Sequence, residues 1–594
     1  MLVYRSLSLA VVISYYTSVV LAAVQLTHLS TVYLPGPNKT ENNGFTLDTG
    51  TVEQMSYDVD SKLIYVVGTN ILHVVNGSNP KSLVQVHEMV VPDSDMTDVE
   101  VCGGYVFVTV DNTADRGQGQ LRVYRRYSRS RRALKLVSTV VVGTIPDMLQ
   151  VRPDCRTVII ALEAEAYESK GQLQDPKGAV VIIHFPEGVE GKVRPQVKTL
   201  DFTDYNNRYH ELLPSGIRFV YRENNNTFSA DVEPEYVAID ETGNKAYVVL
   251  QENNGVAEID LVTETITAIH GLGYKQWGNL DTSDKDAGIE ITYWPIRAWF
   301  LPDAIKFHQW RGRKLIFTAN EGDTKKYLDF GFDETQRGAK FQESDLGSDI
   351  PFIMKDALKD NSRLGRLKFS KLDGRDEKGR YQSLYAFGGR SFSIWDAENS
   401  LQRIYDSGSS IEETTALYCP HVFNTDGDHV DDRSDDKGPQ PEGLTVGEIG
   451  DRLYIFVGNE SPGTISVYSI GSDVTQPRFE SIFCEGIPND SRNMTEKYRA
   501  RQLYAVDPED IRFYSGADNP TGSPILMVSG STSGTVTILK INVDEHAQIL
   551  SAESPANSAD VKHTQTNGEH NDSALLRSKS STILACLLVL LRWF

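Results

Sequence analysis

DRLYIFVGNESPGTISVYSI, residues Asp451–Ile470, consists of two short apolar runs separated by a turn of Gly, Asn, Ser and Pro residues. Alternation of apolar and polar residues with a period of two predicts a half-buried β-strand. Two such runs joined by turn-forming residues predict a β-hairpin. This stretch therefore predicts one hairpin, and the question for the fold is how often it recurs.

Similar hairpins recur along most of the chain. They lie at Lys62–Asn76, Gly104–Arg126, Arg156–Phe185, Asn244–Leu261, Arg313–Asp323, Ser383–Asp396 and Ser523–Ile541. Several units are introduced by a proline beside an acid, at Glu233-Pro234-Glu235, Pro302-Asp303, Pro441-Glu442 and Pro508-Glu509. A hairpin repeated at a long, loose period is typical of a β-propeller. We therefore predict an all-β chain that forms a single β-propeller with long inserted loops, with seven blades favoured and eight as the alternative.

The competing interpretation of the same strands is a row of two or three β-sandwich domains. Separate domains need linkers, and no stretch rich in Pro, Ser or Gly divides the chain before residue 545. The single propeller is therefore favoured.

Both ends of the chain carry apolar segments. Residues 1–22 contain one basic residue and an uncharged apolar run that ends in small residues, which predicts a secretory signal peptide. The last 12 residues, Ile583–Phe594, are apolar but shorter than the roughly 20 that a spanning helix needs. Small residues and a polar spacer precede them, which predicts a glycosylphosphatidylinositol (GPI) anchor signal with attachment at Asn571, Asp572 or Ser573. The predicted order is signal peptide 1–22, propeller 23–544, polar stalk 545–572 and removed anchor signal 573–594.

The net charge of −22, from 81 acidic and 59 basic residues, limits the classes of partner that the protein can bind. Such a surface repels nucleic acid and anionic lipid headgroups and attracts cations. Nucleic-acid binding is therefore not expected.

The cysteines and the glycosylation sequons predict an oxidising compartment. Cys586 lies in the predicted anchor signal, so Cys102, Cys155, Cys419 and Cys484 remain for two disulfides. Three pairings are possible, and proximity in sequence favours Cys102–Cys155 and Cys419–Cys484. The sequons taken as glycosylation sites are at Asn38, Asn76, Asn225, Asn459, Asn489 and Asn493.

A loop between His421 and Gly443 is the densest group of acids in the chain. It contains Asp426, Asp428, Asp431, Asp432, Asp435 and Asp436. Closely spaced oxygen donors beside a glycine suit Ca²⁺ coordination, although the EF-hand pattern is incomplete. Glu321 and Asp323, in the loop from Glu321 to Asp360, form a weaker candidate. A solvated acidic loop is the alternative interpretation, and Ca²⁺ is the only cofactor predicted.

Signals for catalysis are weak. The sequence has no G-x-S-x-G, H-E-x-x-H or P-loop motif, and no catalytic residues are predicted. Asp48-Thr49-Gly50 and Asp406-Ser407-Gly408 imitate the paired turns of an aspartic protease, but they are too far apart for its two lobes.

Three strings carry a family resemblance. The first is Pro302-Asp303-Ala304-Ile305 with Thr318–Asp323, the second Arg390–Asp396 with Tyr405–Gly408, and the third Ser434–Pro439 with Pro441–Gly443. Together they resemble the mesenchyme-specific cell-surface glycoprotein family and are similar to bacterial choice-of-anchor I proteins. The resemblance implies a secreted or lipid-anchored propeller associated with calcium carbonate biomineralisation. Gln440 stands where a second acid is expected in the third string.

The leading functional expectation is a GPI-anchored extracellular glycoprotein, without catalysis, that binds Ca²⁺ or mineral through acidic loops. Its expected partners are calcium ions or calcium carbonate and the extracellular matrix, with the membrane reached through the lipid anchor only. It would lie on the outer face of the plasma membrane or be released into the mineral matrix. A calcium-dependent phosphatase or phytase-like propeller enzyme is the first alternative, and a protein–protein adhesion platform is the second.

Overall fold

The computed structural model describes residues 24–40, 42–461 and 463–544. Within these residues, seven four-stranded antiparallel sheets follow one another along the chain, and we number them as blades 1 to 7. The predicted signal peptide, stalk and anchor signal lie outside the described residues.

The strands of the first four blades are contiguous in sequence, apart from a small hairpin inserted into blade 3. Blade 1 contains Met55–Asp58, Leu63–Gly68, Ile71–Asn76 and Val84–Val90. Blade 2 contains Asp95–Cys102, Tyr105–Asp111, Gly119–Ser128 and Ala133–Gly143. Blade 3 contains Pro146–Val151, Thr157–Leu162, Ala179–His184 and Gln196–Asp201. Blade 4 contains Pro234–Ile239, Lys245–Leu250, Gly255–Asp260 and Thr265–Gly271.

Two of the remaining blades are discontinuous. Blade 5 contains Ile305–Trp310, Arg313–Asn320, Ser391–Asp396 and Gln402–Asp406. Blade 6 contains Pro441–Ile449, Arg452–Asn459, Thr464–Ile470 and Arg478–Phe483. Blade 7 contains Ile511–Tyr514, Ile525–Gly530 and Thr535–Val543, and its fourth strand is Val24–Tyr33 from the other end of the chain. Because the hairpins at Arg313–Asp323 and Ser383–Asp396 share blade 5, the eight predicted hairpins form seven blades.

The blades form a closed ring. The first strand of each blade contacts the first strand of the next, from blade 1 through to blade 7. Blade 7 then packs on blade 1 through a shared core in which Ile525 and Met527 meet Met55 and Ile64. The predicted seven-bladed β-propeller is therefore confirmed, with the first strand of every blade on the inside.

Burial within a blade follows from its position in the ring. The middle strands are covered on both faces by the neighbouring blades, so Leu63–Gly68 and Thr157–Leu162 are buried at every residue. The fourth strand lies at the outer edge, and five of the six residues of Gln196–Asp201 are exposed. This arrangement explains why the middle strands are continuous apolar runs in the sequence and the outer strands are polar.

Residues 274–300 and 321–390 form an insert beside blade 5, with its own apolar core that contains Trp277, Phe341 and Leu367. The described helices are Tyr209–Leu212, Phe228–Asp231, Phe352–Ala357, Ser410–Tyr418 and Met494–Arg499. The strands outside the blades are Tyr167–Ser169, Gln172–Gln174, Tyr274–Gln276, Asn279–Leu280, Thr292–Tyr293, Arg297–Trp299, Lys326–Tyr327, Phe332–Asp333, Thr335–Arg337, Lys368–Ser370 and Tyr385–Ala386. Over the ranges that the structure covers, no helix has both the length and the apolar character to span a membrane.

Both favoured disulfides are confirmed. Cys102–Cys155 joins blade 2 to the first turn of blade 3, and Cys419–Cys484 joins the helix Ser410–Tyr418 to the end of blade 6.

Candidate functional site

A carboxylate ring occupies the inner ends of the blades. The ring position of a blade is defined by the inner strand: it lies two residues before the continuous β-ladder of that strand begins. In blade 3 the ladder begins at Leu149 and the ring residue is Asp147; in blade 4 it begins at Val237 and the ring residue is Glu235. The seven equivalent residues are Glu53, Thr97, Asp147, Glu235, Asp303, Glu442 and Glu509. Six of the seven are acids, one from each blade except blade 2.

Local chain geometry explains why these residues point inward. In five blades the residue just before the ring position is a proline, at Pro146, Pro234, Pro302, Pro441 and Pro508. Proline lacks an N–H and is tolerated at the first residue of a strand or at a bulge. The ladder register shifts at these points, for example between Pro146 and Leu149, and the irregularity redirects the acid that follows.

All of the ring residues except Glu442 line one cavity of about 160 Å³ on the inside of the propeller. Its wall is completed by Gln54, Met148, Glu163 and Tyr236. Glu442 adjoins this cavity, because one oxygen each of Glu442, Asp507 and Glu509 lies within 4.8 Å of the others. The lining contains neither Lys nor Arg, so no basic side chain in it offsets the charge of these carboxylates when they ionise.

These carboxylates are not neutralised by the protein. Among the described residues, none of the six ring acids takes part in a salt bridge. Oε2 of Glu235, Oε2 of Glu442 and Oε1 of Gln54 are buried and have no hydrogen-bond partner within the described chain. Buried polar atoms without partners are costly, and such groups call for a ligand or an ion to satisfy them.

Burial, and for most of the ring acids also the charge of neighbouring carboxylates, raises the pKa values of these acids. Burial, and then the charges of Asp95, Asp147 and Asp507, raise the pKa of Glu53 to about 8. Burial raises the pKa of Asp147 to about 6. Burial and neighbouring carboxylates also hold the pKa of Glu235 well above its usual range. The ring in isolation therefore disfavours its own ionised state, and a bound cation would favour it.

The chemistry of the donor set fits a hard divalent cation. Ca²⁺ takes about six to eight oxygen ligands and tolerates irregular geometry. The cavity lining supplies carboxylates together with the hydroxyl of Thr97 and the amide oxygen of Gln54, and it includes neither His nor Cys. The sulfur of Met148 in the same lining accepts a hydrogen bond of 3.2 Å from the Val237 N–H. The Pro-acid dipeptides that mark five blades in the sequence are therefore the local signal for this site, and none of these acids was among the predicted metal ligands.

The eight acids predicted to bind metal do not converge on one point. Asp435 forms ion pairs with Arg337 and Arg366, the latter at 2.7 Å, and Asp436 pairs with Lys368. These cations belong to the insert, so both carboxylates fasten the loop to the insert. Two of the six loop acids are therefore already paired with cations of the insert, and calcium binding by this loop stays a prediction.

The other loop acids are scattered. Asp426 is exposed and lies 3.6 Å from Arg433, and Asp428 accepts a hydrogen bond of 2.7 Å from the Met494 N–H. Asp432 is half-buried, and burial followed by the charge of Asp426 raises its pKa to about 6. Asp431 meets two acids from outside the loop, since one of its oxygens lies within 4.8 Å of oxygens of Asp281 and Asp286.

Glu321 and Asp323 both form ion pairs with one lysine, Lys437. Lys437 binds Glu321 and lies 3.1 Å from Asp323, and Gln251 donates to Glu321 at 2.7 Å. Lys437 comes from the K-G-P-x-P-E-G string, and the amide of Gln440 in the same string also donates to Glu321. Gln440 therefore acts here as a hydrogen-bond donor to a carboxylate rather than as a metal ligand.

The predicted glycosylation sites differ in exposure. Asn38, Asn225, Asn489 and Asn493 are exposed and Asn76 is half-buried. Asn459 is fully buried, and its Nδ2 donates to Thr464 and Ser466 hydroxyls at 2.9 and 3.2 Å. A glycan on this nitrogen does not fit the folded protein, so Asn459 is removed from the predicted set.

Comparison with solved structures finds propellers of low similarity. The Cps50 (Swd1) β-propeller domain of Myceliophteria thermophila is 8% identical, with a TM-score of 0.39 over 87% of this chain and 100% of that one. The periplasmic gluconolactonase PpgL of Pseudomonas aeruginosa is 12% identical, with a TM-score of 0.37 over 74% of this chain and 87% of that one. Neither likeness carries an argument about this protein.

Sequence relatives are more informative. Gigasin-3a of Magallana gigas is 40% identical over 199 residues, which cover 32% of this chain and 68% of that protein. The mesenchyme-specific cell surface glycoprotein of Strongylocentrotus purpuratus is 30% identical over 305 residues, which cover 46% of this chain but only 39% of that protein. By its name that relative is a cell-surface glycoprotein, and the two disulfides of this chain are typical of the same extracellular environment.

The family resemblance predicted from the three strings is confirmed by a family model. The model of the choice-of-anchor I domain matches residues 53–473, which run from the first ring acid to just past the third strand of blade 6. This chain is therefore a seven-bladed β-propeller that belongs to the choice-of-anchor I domain family.

Proposed function

We propose that this protein is an extracellular, GPI-anchored glycoprotein that binds Ca²⁺ in its carboxylate ring and serves calcium-based biomineralisation without catalysing a reaction. The observation that carries the proposal is the convergence of ring acids from five blades on one cavity, with Glu442 of a sixth blade beside it and no Lys or Arg in the cavity lining. The role in shell or skeleton formation rests on the family resemblance.

We propose the calcium site on the inside of the propeller rather than in the acidic loop. In the loop, Lys and Arg side chains already neutralise Asp435 and Asp436, so a cation there would compete with protein groups. In the ring, a cation would replace repulsion among carboxylates with attraction and would satisfy the unpaired oxygens of Glu235 and Glu442. A bound Ca²⁺ would therefore meet carboxylates without basic partners in the ring, whereas in the loop it would compete with Lys and Arg side chains for Asp435 and Asp436.

The surface of the protein supports an extracellular role. The asparagines of four sequons are exposed, so a glycan on each would be directed into solvent. The anchor is proposed from the apolar tail and the residues that precede it. Release of the protein from cells by a phosphatidylinositol-specific phospholipase would support the anchor, and retention on the membrane after this treatment would contradict it.

Calorimetric titration of the purified protein with Ca²⁺ tests the ring. We expect the variant Glu235→Gln/Asp303→Asn to lose at least about tenfold in affinity, because the number of charged ligands sets Ca²⁺ affinity. The control variant Asp426→Asn/Asp428→Asn removes the same formal charge from the acidic loop and should bind as the wild type does. Loss of affinity in the control alone would show that Ca²⁺ binds in the acidic loop and not in the ring. Equal binding by all three proteins would refute both sites.

The ring also bears on the phosphatase alternative. A phosphoryl group is anionic, and no Lys or Arg lines the cavity to receive it. We therefore expect no calcium-dependent release of phosphate from a chromogenic ester. Turnover that disappears in the Glu235→Gln/Asp303→Asn variant would contradict the non-catalytic role and favour the enzyme.

A further inference from the structure

The hairpin between the third and fourth strands of blade 2 ends in a cluster of arginines. The strands are Gly119–Ser128 and Ala133–Gly143, and the tip between them reads Arg129-Ser130-Arg131-Arg132. In a chain with a net charge of −22, this concentration of positive charge needs an explanation. Neither the carboxylate ring nor the acidic loop uses it.

The tip is open to solvent, and its last two arginines are unpaired. Residues 129–133 are all exposed. Within the described chain, Arg131 and Arg132 form no salt bridge, whereas Arg125 and Arg126 lower in the same hairpin pair with Glu190 and Asp58. Arg129 makes one hydrogen bond, from Nη2 to Oδ1 of Asn76 at 3.3 Å. The three tip arginines are therefore available to a partner in a way that their neighbours are not.

The backbone of the tip is weakly held. The fourth strand is an outer edge, and the pairing of Ser128 with Ala133 is separated from that of Arg125 with Lys135 by an irregular register. The turn is closed by the Arg132 N–H, which donates to the Ser128 carbonyl at 2.7 Å, and Arg132 has a positive φ of 52°. Exposed loop tips with few backbone bonds open locally at low cost and are preferred sites of proteolysis.

We propose that the Arg132–Ala133 peptide bond is a processing site for a basic-residue-specific endoprotease of the secretory pathway. Such proteases recognise substrates by acidic subsites that accept arginine just before the cleaved bond and at nearby upstream positions. Arg132, Arg131 and Arg129 would occupy three of these subsites. Hydrolysis adds water across the bond, so that Arg132 gains a new carboxylate and Ala133 a new amino group.

The fold determines what this cleavage produces. Cys102 and Cys155 lie on opposite sides of the cleaved bond and are joined by a disulfide, so the two fragments remain covalently linked. The amino-terminal fragment also keeps Val24–Tyr33, which pairs with Thr535–Val543 and closes the ring from the other fragment. Cleavage would therefore convert a single chain into a disulfide-linked two-chain propeller without releasing either part.

The test is electrophoresis of the full-length protein secreted by cells that contain such a protease. We expect one band without reductant, two bands with reductant, and a second amino-terminal sequence that begins Ala133-Leu134-Lys135. Arg132→Gln and Arg129→Ala should each leave a single reduced band. Arg313→Ala, at another exposed hairpin tip, is the matched control and should be cleaved as the wild type is.

Three results would overturn the proposal. A single reduced band, both from these cells and after treatment of folded protein with excess purified protease, would show that the tip is not a substrate. Cleavage that persists in the Arg132→Gln variant would place the cut elsewhere. An intact protein that binds a heparin column, and loses this binding in a variant with Arg129, Arg131 and Arg132 changed to Ala, would assign the tip to polyanion binding instead.

Discussion

At the scale of single residues, identical acids have opposite roles according to what faces them. Glu321 is held by Lys437 and by two amide donors, and it stabilises the packing of the loop that carries Lys437. Glu235 is also buried, but it faces other carboxylates and has an oxygen without a partner. A buried charge with a partner contributes to structure, whereas one without a partner is a candidate ligand.

His73 gives a prediction about acid stability. It is fully buried in blade 1, its Nδ1 lies 3.0 Å from the Gln85 amide, and burial followed by the charge of Lys39 lowers its pKa to about 3. Between pH 6.5 and about 3 the unfolded chain binds a proton at this position and the folded chain does not. This histidine therefore makes the free energy of unfolding fall as the pH falls, by about 2 kcal/mol at pH 5.

Urea denaturation at pH 8 and pH 5 measures this effect. The His73→Gln variant should lose about 2 kcal/mol less than the wild type between the two pH values, since glutamine does not titrate there. The exposed His429→Gln variant is the control and should follow the wild type. The same pH dependence in wild type and His73→Gln would show that His73 is protonated in the folded protein.

At the scale of strands and turns, position within a blade decides composition. The inner strand begins with a proline and an acid, the middle strand is continuously buried, and the outer strand is mostly exposed. The loops between strands carry the cross-links, and the disulfide Cys102–Cys155 connects the end of one inner strand to the first turn of the next blade. This disulfide therefore links two neighbouring blades covalently.

We expect Cys102→Ser/Cys155→Ser to lower the free energy of unfolding by about 4 kcal/mol, because the disulfide closes a loop of 53 residues in the unfolded chain. Both cysteines are half-buried, so serine leaves no deep cavity and the change reports mainly on the cross-link. Denaturation of the variant and the wild type without reductant measures it. A loss below about 1 kcal/mol would show that the disulfide does not restrict the unfolded chain as the loop-entropy model requires.

At the scale of the whole molecule, closure of the ring creates the candidate site. The strand Val24–Tyr33 completes blade 7 by pairing with Thr535–Val543, so the two ends of the propeller are joined by backbone hydrogen bonds. Closure brings Glu509 of blade 7 and Glu53 of blade 1 to the same cavity. Stability and calcium binding are thus expected to depend on the same closing strand.

Leu26→Asp should lower the midpoint of thermal unfolding strongly, because it places an unpaired charge in the core shared by blades 6 and 7. A loss of about 3 kcal/mol or more is expected from the cost of burying such a charge. Gln25→Asp is the matched control, since Gln25 is exposed on the same strand. Equal melting of the two variants would mean that the closing strand contributes little to the ring.

Several features followed from the sequence because their information is local. Alternating runs and turns identify hairpins, a long repeat without helices indicates a propeller, and short separations favoured the correct disulfides. The strings around Asp303, Arg390 and Lys437 were enough to indicate the family that the matched model confirms. None of these inferences depends on which residues distant in sequence are in contact.

The candidate site required the tertiary structure, because its residues meet only through the radial arrangement of the blades. Glu53 and Glu509 are separated by most of the chain yet line one cavity, whereas the densely spaced aspartates of the acidic loop diverge to separate partners. The partners of Asp435 and Asp436 come from the insert, and the burial of Asn459 depends on its neighbours in blade 6. Spacing in sequence reports how closely acids follow one another, but the electrostatics of a site depend on which charges face it in space.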